Sequence, residues 1–409
     1  GVMTPELWDL ACCSLVSWAS SFEESLPGVT SSAPASLVTS AVCQLASAVG
    51  QATSGSSDSV PQKLRYEWDE FFSEGVYSVL VPAFVSLSSG LQRAPTSLLK
   101  RLASAVSLCP PALLMEAQLP ALHLVQDVDI TLPLPDNITF LYNHLTPLLL
   151  SPCRHVQVAA SLLLMTVAQN MKEKEDEDQE EEEETQEIPR RLEEVIKQGD
   201  TVLDTILQEF RIGEAAGPIP PGNASHTVTV GYLLCWRVVL ALLEAAGDEL
   251  RPKYTEYLKT RGLLDSLFGH LFRLLPKTAA SDKEMFLTEL SVTSTSSAAE
   301  IQQMAGSTWV SVCRHLPAVA RSWWQSLDKV GREAVERLTS SVVTPTLWRE
   351  ETLAIERAER GSDNMTVRVR PSVREVVATY TIDEGSLELL ISLPANYPLG
   401  GLTVDSGNR

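Results

Sequence analysis

Between Gly361 and Met365 the spacing of apolar residues changes from a helical repeat to strict alternation. This switch divides the chain into two kinds of structure. "MTVRVR" (365–370) alternates Val367 and Val369 against Arg368 and Arg370. "EVVATYTID" (375–383) and "SLELLISL" (386–393) are β-branched or alternating. The short stretch Asp383-Glu384-Gly385 between them predicts a hairpin. "LTVD" (402–405) supplies a fourth strand. A helix followed by a four-stranded antiparallel meander is an α+β domain, and one face of its sheet must be covered by helix.

Everything upstream reads as helix. Apolar residues take helical spacing over Leu7–Phe22, Ala35–Val49, Leu64–Leu87, Thr96–Leu108, Asn137–Leu150 and Val156–Met171. The pattern resumes over Arg190–Phe210, Val228–Ala246, Pro252–Leu275 and Ala298–Trp324. Leu192, Val195, Ile196, Leu203, Ile206, Leu207 and Phe210 form one helical stripe, with Glu193, Glu194, Lys197 and Asp200 around the rest. Pro and Gly punctuate the ends, as at Pro110-Pro111, Pro133, Pro135 and Pro218 through Gly222. With 409 residues, the chain exceeds what one hydrophobic core serves. Residues 1–325 are therefore expected to form a HEAT- or armadillo-like helical solenoid, with a compact irregular bundle as the alternative. Residues 326–409 form the α+β domain. It opens with the helical face Val330, Ala334, Val335, Leu338 and Val342, whose end Pro345 disturbs, and continues through Leu347–Arg360.

The net charge of −20 is concentrated. Met171–Glu187, "MKEKEDEDQEEEEETQE", holds eleven acidic and two basic residues. Such a run repels itself and buries no apolar surface, so it is expected to be a disordered loop or a solvated helix extension. Seven scattered cysteines form no disulfide framework and suit a reducing, cytoplasmic compartment. Nothing at the start reads as a secretory signal, so the sequons at Asn137, Asn223 and Asn364 read as chance matches. Val228–Ala246 is almost long enough to span a bilayer, but Arg237 near its centre would cost about 3 kcal/mol there. It reads as a buried helix, and no membrane partner is expected.

No phosphate loop, dinucleotide fingerprint, nucleophile elbow or zinc-protease motif occurs. "Cys-Arg-His" appears at Cys153–His155 and Cys313–His315, but helical residues i and i+2 point roughly 200° apart. One ion would not take both, and no cofactor or metal is expected in this chain. Arg368 and Arg370 share one strand face, and Arg374 follows the Pro371 turn. Three guanidinium groups there would pair with phosphate or with acidic protein. An ordinary solvated strand face is the alternative. Trp323-Trp324 suits an interdomain core better than an exposed patch.

The string Arg-Glu-Val-x-Ala-Thr-Tyr-Thr-Ile (374–382), the turn "LPANYPLG" (393–400), "RSWWQSLDK" (321–329) and "ELWDLACCSLVSWASSFEESL" (6–26) resemble the C-terminal third of the listerin family. These are large RING-type E3 ubiquitin ligases of ribosome-associated quality control. The resemblance implies HEAT-type repeats, then an RWD domain, then a zinc-binding RING that recruits the ubiquitin-charged E2. Tyr397 and Pro398 match the RWD turn motif Tyr-Pro-x-x-x-Pro, while Leu402 stands at the second proline. By the same resemblance the chain ends inside its RWD domain, before the closing helices and the RING, and the zinc belongs to that RING. Implied partners are the large ribosomal subunit near the nascent-chain exit, a factor that recognises peptidyl-tRNA, and the E2. Stalled nascent chains would be ubiquitinated. A non-enzymatic helical-repeat adaptor or transport receptor remains the rival reading.

Overall fold

The computed structural model describes residues 4–25, 32–54, 60–89, 94–117, 119, 136–171, 187–214, 216–275, 286, 291–294, 297, 299–358, 364–382 and 385–408. Most of the acidic run lies outside them, as do Asp383 and Glu384 of the predicted hairpin turn. The described elements divide into two compact units. The first takes Gly1–Val202, Ile219–Arg261 and Glu289–Ala298; the second takes Leu203–Pro218, Gly262–Thr288 and Ala299–Arg409.

The first unit is helical. It contains α1 (Pro5–Ser25), α2 (Ala33–Ser54), α3 (Gln62–Glu67), α4 (Ser73–Ser88), α5 (Thr96–Val106), α6 (Pro111–Glu116), α7 (Asp136–Leu145) and α8 (Arg154–Asn170). It also holds most of α9 (Arg190–Leu207), then α10 (Ala224–Ala245) and α11 (Leu250–Thr260). The packing runs in sequence: α1 on α2 and α4, α2 on α5, α5 on α8, α8 on α10, α10 on α11. Each helix meets the next few in the chain, as stacked helical hairpins do.

Among the described residues, three helical stretches are long and apolar enough to cross a membrane: Ala33–Ser54, Gln62–Ser88 and Ala224–Ala245. In the last, 78% of the apolar window is buried inside the protein, so the segment has its apolar surroundings without a bilayer. Asn223 starts this helix: its side chain accepts from the Ser225 backbone N–H at 3.1 Å, which makes the sequon asparagine an N-cap.

The second unit continues with α12 (Leu263–Leu274), α13 (Glu300–His315), α14 (Pro317–Ser326), α15 (Lys329–Leu338) and α16 (Thr344–Arg357). Two stretches that read as single helices in sequence are each broken. Pro252–Leu275 becomes α11 and α12, because Gly262 takes a left-handed φ of 69° that ends one helix and starts another. Ala298–Trp324 becomes α13 and α14, with Pro317 in the first turn of the second, where a missing N–H is no loss. The same chemistry explains α6, absent from the sequence reading: Pro111 opens it rather than merely ending the helix before. At Pro345 the chain stays helical, widening into a π-turn over Thr339–Val343 before α16.

A four-stranded antiparallel meander follows, β1 (Met365–Arg370), β2 (Glu375–Ile382), β3 (Gly385–Ser392) and β4 (Thr403–Asn408), in the spatial order β1-β2-β3-β4. Its register sorts the faces. Val369, Val376, Ile391 and Val404 pair in one row, and Met365, Tyr380 and Leu387 in another, so one face is apolar. On it Met365, Tyr380, Leu387 and Val404 keep 40–59% of their surface exposed. The opposite face carries Arg368, Arg370, Glu375, Glu388 and Asp405. Val376 and Val377, neighbours pointing to opposite faces, are both buried, so the sheet is covered on both sides at that end of β2, while Val367, Val369, Leu389, Leu390 and Ile391 are half-buried.

Candidate functional site

Within the second unit, three helices converge on one turn. The segment 393–400 folds back on itself: the Tyr397 N–H donates to Pro394 O at 3.2 Å, and the Leu399 N–H to Asn396 O at 2.8 Å. The Tyr397–Pro398 peptide is cis, and Pro398 and Leu399 are buried. Gly400 has to be glycine, because a Cβ there would run into Asn396 Oδ1 and sit 2.8 Å from the Pro394 ring. Leu402, at the place of the second proline, is exposed.

Arg321 of α14 points both Nε and Nη2 at the Pro398 carbonyl, at 3.2 and 2.8 Å. Thr344 Oγ1, in α16, lies 2.6 Å from Tyr397 O and 3.1 Å from Thr339 O; its single proton goes to the shorter contact. The Asn396 amide donates to Glu336 Oε1 of α15 at 3.1 Å, and the Tyr397 hydroxyl donates to Glu351 Oε1 of α16 at 3.2 Å. Burial pushes the Tyr397 phenol up from its ordinary value, and the Glu351 carboxylate adds to the shift. The two motif residues, Tyr397 and Pro398, therefore lie where the sheet is fastened to the helices.

The basic strand lies in the same unit. Arg368 is exposed and carries no ion pair among the described residues. Arg370, on the same face, pairs with Glu375 at 3.3 Å. Arg374 stands apart from both. It follows a three-residue 3-10 turn, takes a left-handed φ of 55°, and is half-buried, with its Nε enclosed and without a hydrogen-bond partner among the described residues. Its carbonyl accepts from the Leu393 N–H at 2.9 Å, which ties it to the start of the turn. The structure thus brings two of the three arginines onto one face.

Trp323 is buried against Phe268, Phe272 and Trp309, with ring centroids 5.2–6.0 Å apart. This cluster joins α12, α13 and α14 to one another rather than the helices to the sheet. Half-buried Trp324 donates its Nε1–H to the Arg332 carbonyl of α15 at 3.2 Å.

Sequence reasoning put Glu193 among the solvated residues of α9, yet it is buried, at 8% exposure. In the first unit its carboxylate takes the Tyr257 hydroxyl at 2.7 Å and the Lys197 ammonium at 2.7 Å, with Arg261 at 3.8 Å. Burial pushes this carboxyl up, but the hydrogen bonds from Lys197 and Tyr257 and the charges of Lys197 and Arg261 outweigh it, leaving it below its ordinary value. The i, i+4 spacing to Lys197 was visible in sequence; the Tyr257 partner, 64 residues away, was not.

Burial raises the thiols of Cys12, Cys43 and Cys109 to about 12, and those of Cys235 and Cys313 also rise. These five sulfurs are neutral thiols at physiological pH, packed as small apolar groups. Cys153 precedes α8 and Cys313 lies within α13, each in its own helical setting.

Stacked helical hairpins in the first unit, and in the second a small sheet fastened by polar side chains to α14–α16, define a helical-repeat protein with an α+β module. Comparison with known proteins narrows the class. A family model described as the LTN1 family HEAT repeat region matches residues 134–356, and one described as the Listerin HEAT repeat region matches 1–108. A ubiquitin conjugating domain-like model matches 365–409, the sheet. The chain belongs to the listerin (LTN1) family. It is 33% identical over 98% of its length to the E3 ubiquitin-protein ligase listerin of Gallus gallus, and 32% identical over 98% to that of Xenopus tropicalis. The resemblance extends to the protein of the same name in Saccharomyces cerevisiae, 22% identical over 44% of the chain. The chain spans about a quarter of the length of the vertebrate relatives, 24% and 25% in the two cases.

Proposed function

We propose that this chain is the docking and positioning part of an E3 ubiquitin-protein ligase of ribosome-associated quality control. The sheet domain docks on the large ribosomal subunit near the nascent-chain exit. It holds a zinc-binding RING, with its ubiquitin-charged E2, over the emerging polypeptide. The helical array links that end to the part of the protein that works with the factor recognising peptidyl-tRNA, and the assembly operates in the cytosol. The observation that carries this reading is the collinear match of nearly the whole chain to proteins named E3 ubiquitin-protein ligase listerin.

The docking residues in this reading are Arg368, Arg370 and Arg374, and the geometry ranks them. Arg368 is free to meet a phosphate or carboxylate by charge-assisted hydrogen bonds. Arg370 must first release Glu375. Arg374, half-buried, acts by holding the turn as much as by touching a partner.

Co-sedimentation of the chain with purified large ribosomal subunits across a salt series tests the reading. Pelleting should fall as salt rises, and Arg368→Ala should weaken it and flatten the salt dependence, with Arg370→Ala weaker in effect. Pelleting that ignores both substitutions would remove the basic strand from the interface. Absence of pelleting, also in a version carrying the RING, would defeat the docking assignment.

A further inference from the structure

The sheet is fastened to the helices through a small patch. Arg321, Glu336, Thr344 and Glu351, from α14, α15 and α16, all reach residues 396–398. On the apolar face of the sheet Met365, Tyr380, Leu387 and Val404 are exposed, Val367, Val369, Ala378, Leu389 and Ile391 are half-buried, and among the described strand residues only Val376 and Val377 are buried. A large shared core would tolerate the loss of one polar contact. Here four polar side chains from three helices are concentrated on one turn, and that turn is where rocking of the sheet is resisted.

The grip is directed at the backbone. Arg321 and Thr344 bind carbonyl oxygens, which hold their place whatever side chains the turn carries. A guanidinium with two N–H groups on one oxygen also restricts angle as well as distance. Arg321 is itself well anchored: two residues on, Trp323 sits in the ring cluster with Phe268, Phe272 and Trp309, and Trp324 is tied to Arg332. Any tilt of the sheet would therefore have to pull Pro398 away from a helix anchored in that ring cluster.

We infer that Arg321 is a positioning residue: with Thr344 it makes the 396–398 turn a rigid joint that sets the orientation of the sheet, and of its Arg368 and Arg370 face, on α14–α16. The joint stands on this geometry alone. Its consequence for docking rests on the proposed function.

The test is double electron–electron resonance on the 409-residue chain, spin-labelled at Gln325→Cys in α14 and Ser386→Cys in β3, two exposed positions, in a Cys13→Ser background. The parent should give one narrow distance distribution. Arg321→Ala with Thr344→Val should at least double its width while helical circular dichroism stays unchanged. Arg321→Lys, which keeps one donor, should fall between. A width unchanged in the double variant and in Arg321→Lys overturns the joint. Should the double variant fail to fold, Arg321→Lys alone decides, because an unbroadened distribution there is equally fatal. Ribosome co-sedimentation of the same proteins separates the two ideas. A broadened distribution with undiminished docking leaves the joint standing and counts against the docking surface.

Discussion

Tyr257 donates its phenolic proton to the Glu193 carboxylate at 2.7 Å, and both side chains are buried. The pair ties α9 to α11 in the first unit, and Lys197 and Arg261 supply the charge that keeps the carboxylate ionised.

Glu193→Gln keeps the shape and removes the charge, and should cost about 1–3 kcal/mol at pH 7. Because the folded carboxyl titrates below its ordinary 4.5, its contribution is present above that pH and fades as pH falls through the folded value. Urea unfolding of both proteins across pH 3–7 should show a stability gap that closes at the acid end. A gap of constant size would mean that the charge is irrelevant.

Gly231 lies where α10 crosses the turn 146–150, and a Cβ there would strike the Leu149 carbonyl oxygen. That same oxygen accepts the Gln157 side-chain N–H at 2.6 Å, so it is held in place. Helix propensity alone favours Gly231→Ala by about 1 kcal/mol. The clash should reverse the sign and destabilise by about 1–3 kcal/mol, read from the denaturation midpoint. A stabilised variant would show that the two backbones separate easily.

Trp323 fills the ring cluster of the second unit. Trp323→Ala should cost about 3–5 kcal/mol and remove much of the near-ultraviolet circular dichroism, whereas Trp324→Phe, losing one hydrogen bond, should cost about 1 kcal/mol. Equal losses from the two would contradict the division between core and clamp.

The apolar sheet face should bind a hydrophobic dye in the 409-residue chain, since Leu387 and Val404 are 44% and 59% exposed. Leu387→Glu and Val404→Glu together should lower dye fluorescence several-fold with little change in melting temperature. Unfolding on substitution would show that this face is already packed.

Much of the architecture was legible in sequence because its signals are local. The alternation in "MTVRVR" and the β-branched run in "EVVATYTID" placed β1 and β2 where the structure has them, and the family strings in 374–382 and 393–400 pointed to the lineage. The errors also have local causes. Gly262 and Pro317 sit inside continuous apolar spacing, and only the left-handed φ at Gly262 and the non-helical angles of Leu316 before Pro317 show that one helix ends and another begins. Glu193 looked like a solvated residue because a charge at the edge of a stripe normally is; its burial depends on Tyr257 and Arg261 arriving from another helix.

The candidate site divides along the same line. Sequence by itself determined the helical and strand character, the placement of Arg368 and Arg370 on one strand face, and the Tyr397-Pro398 motif, because these follow from periods of 3.6 and 2 and from short strings. Tertiary structure alone decided that Arg370 is spent on Glu375, that Arg374 is half-buried, and that Arg321 and Thr344 grip the backbone of the motif turn. The contacts on that turn join residues 46 to 77 positions apart. Backbone carbonyls are the same in every residue, so no pattern of side chains along the chain announces which distant arginine will find one.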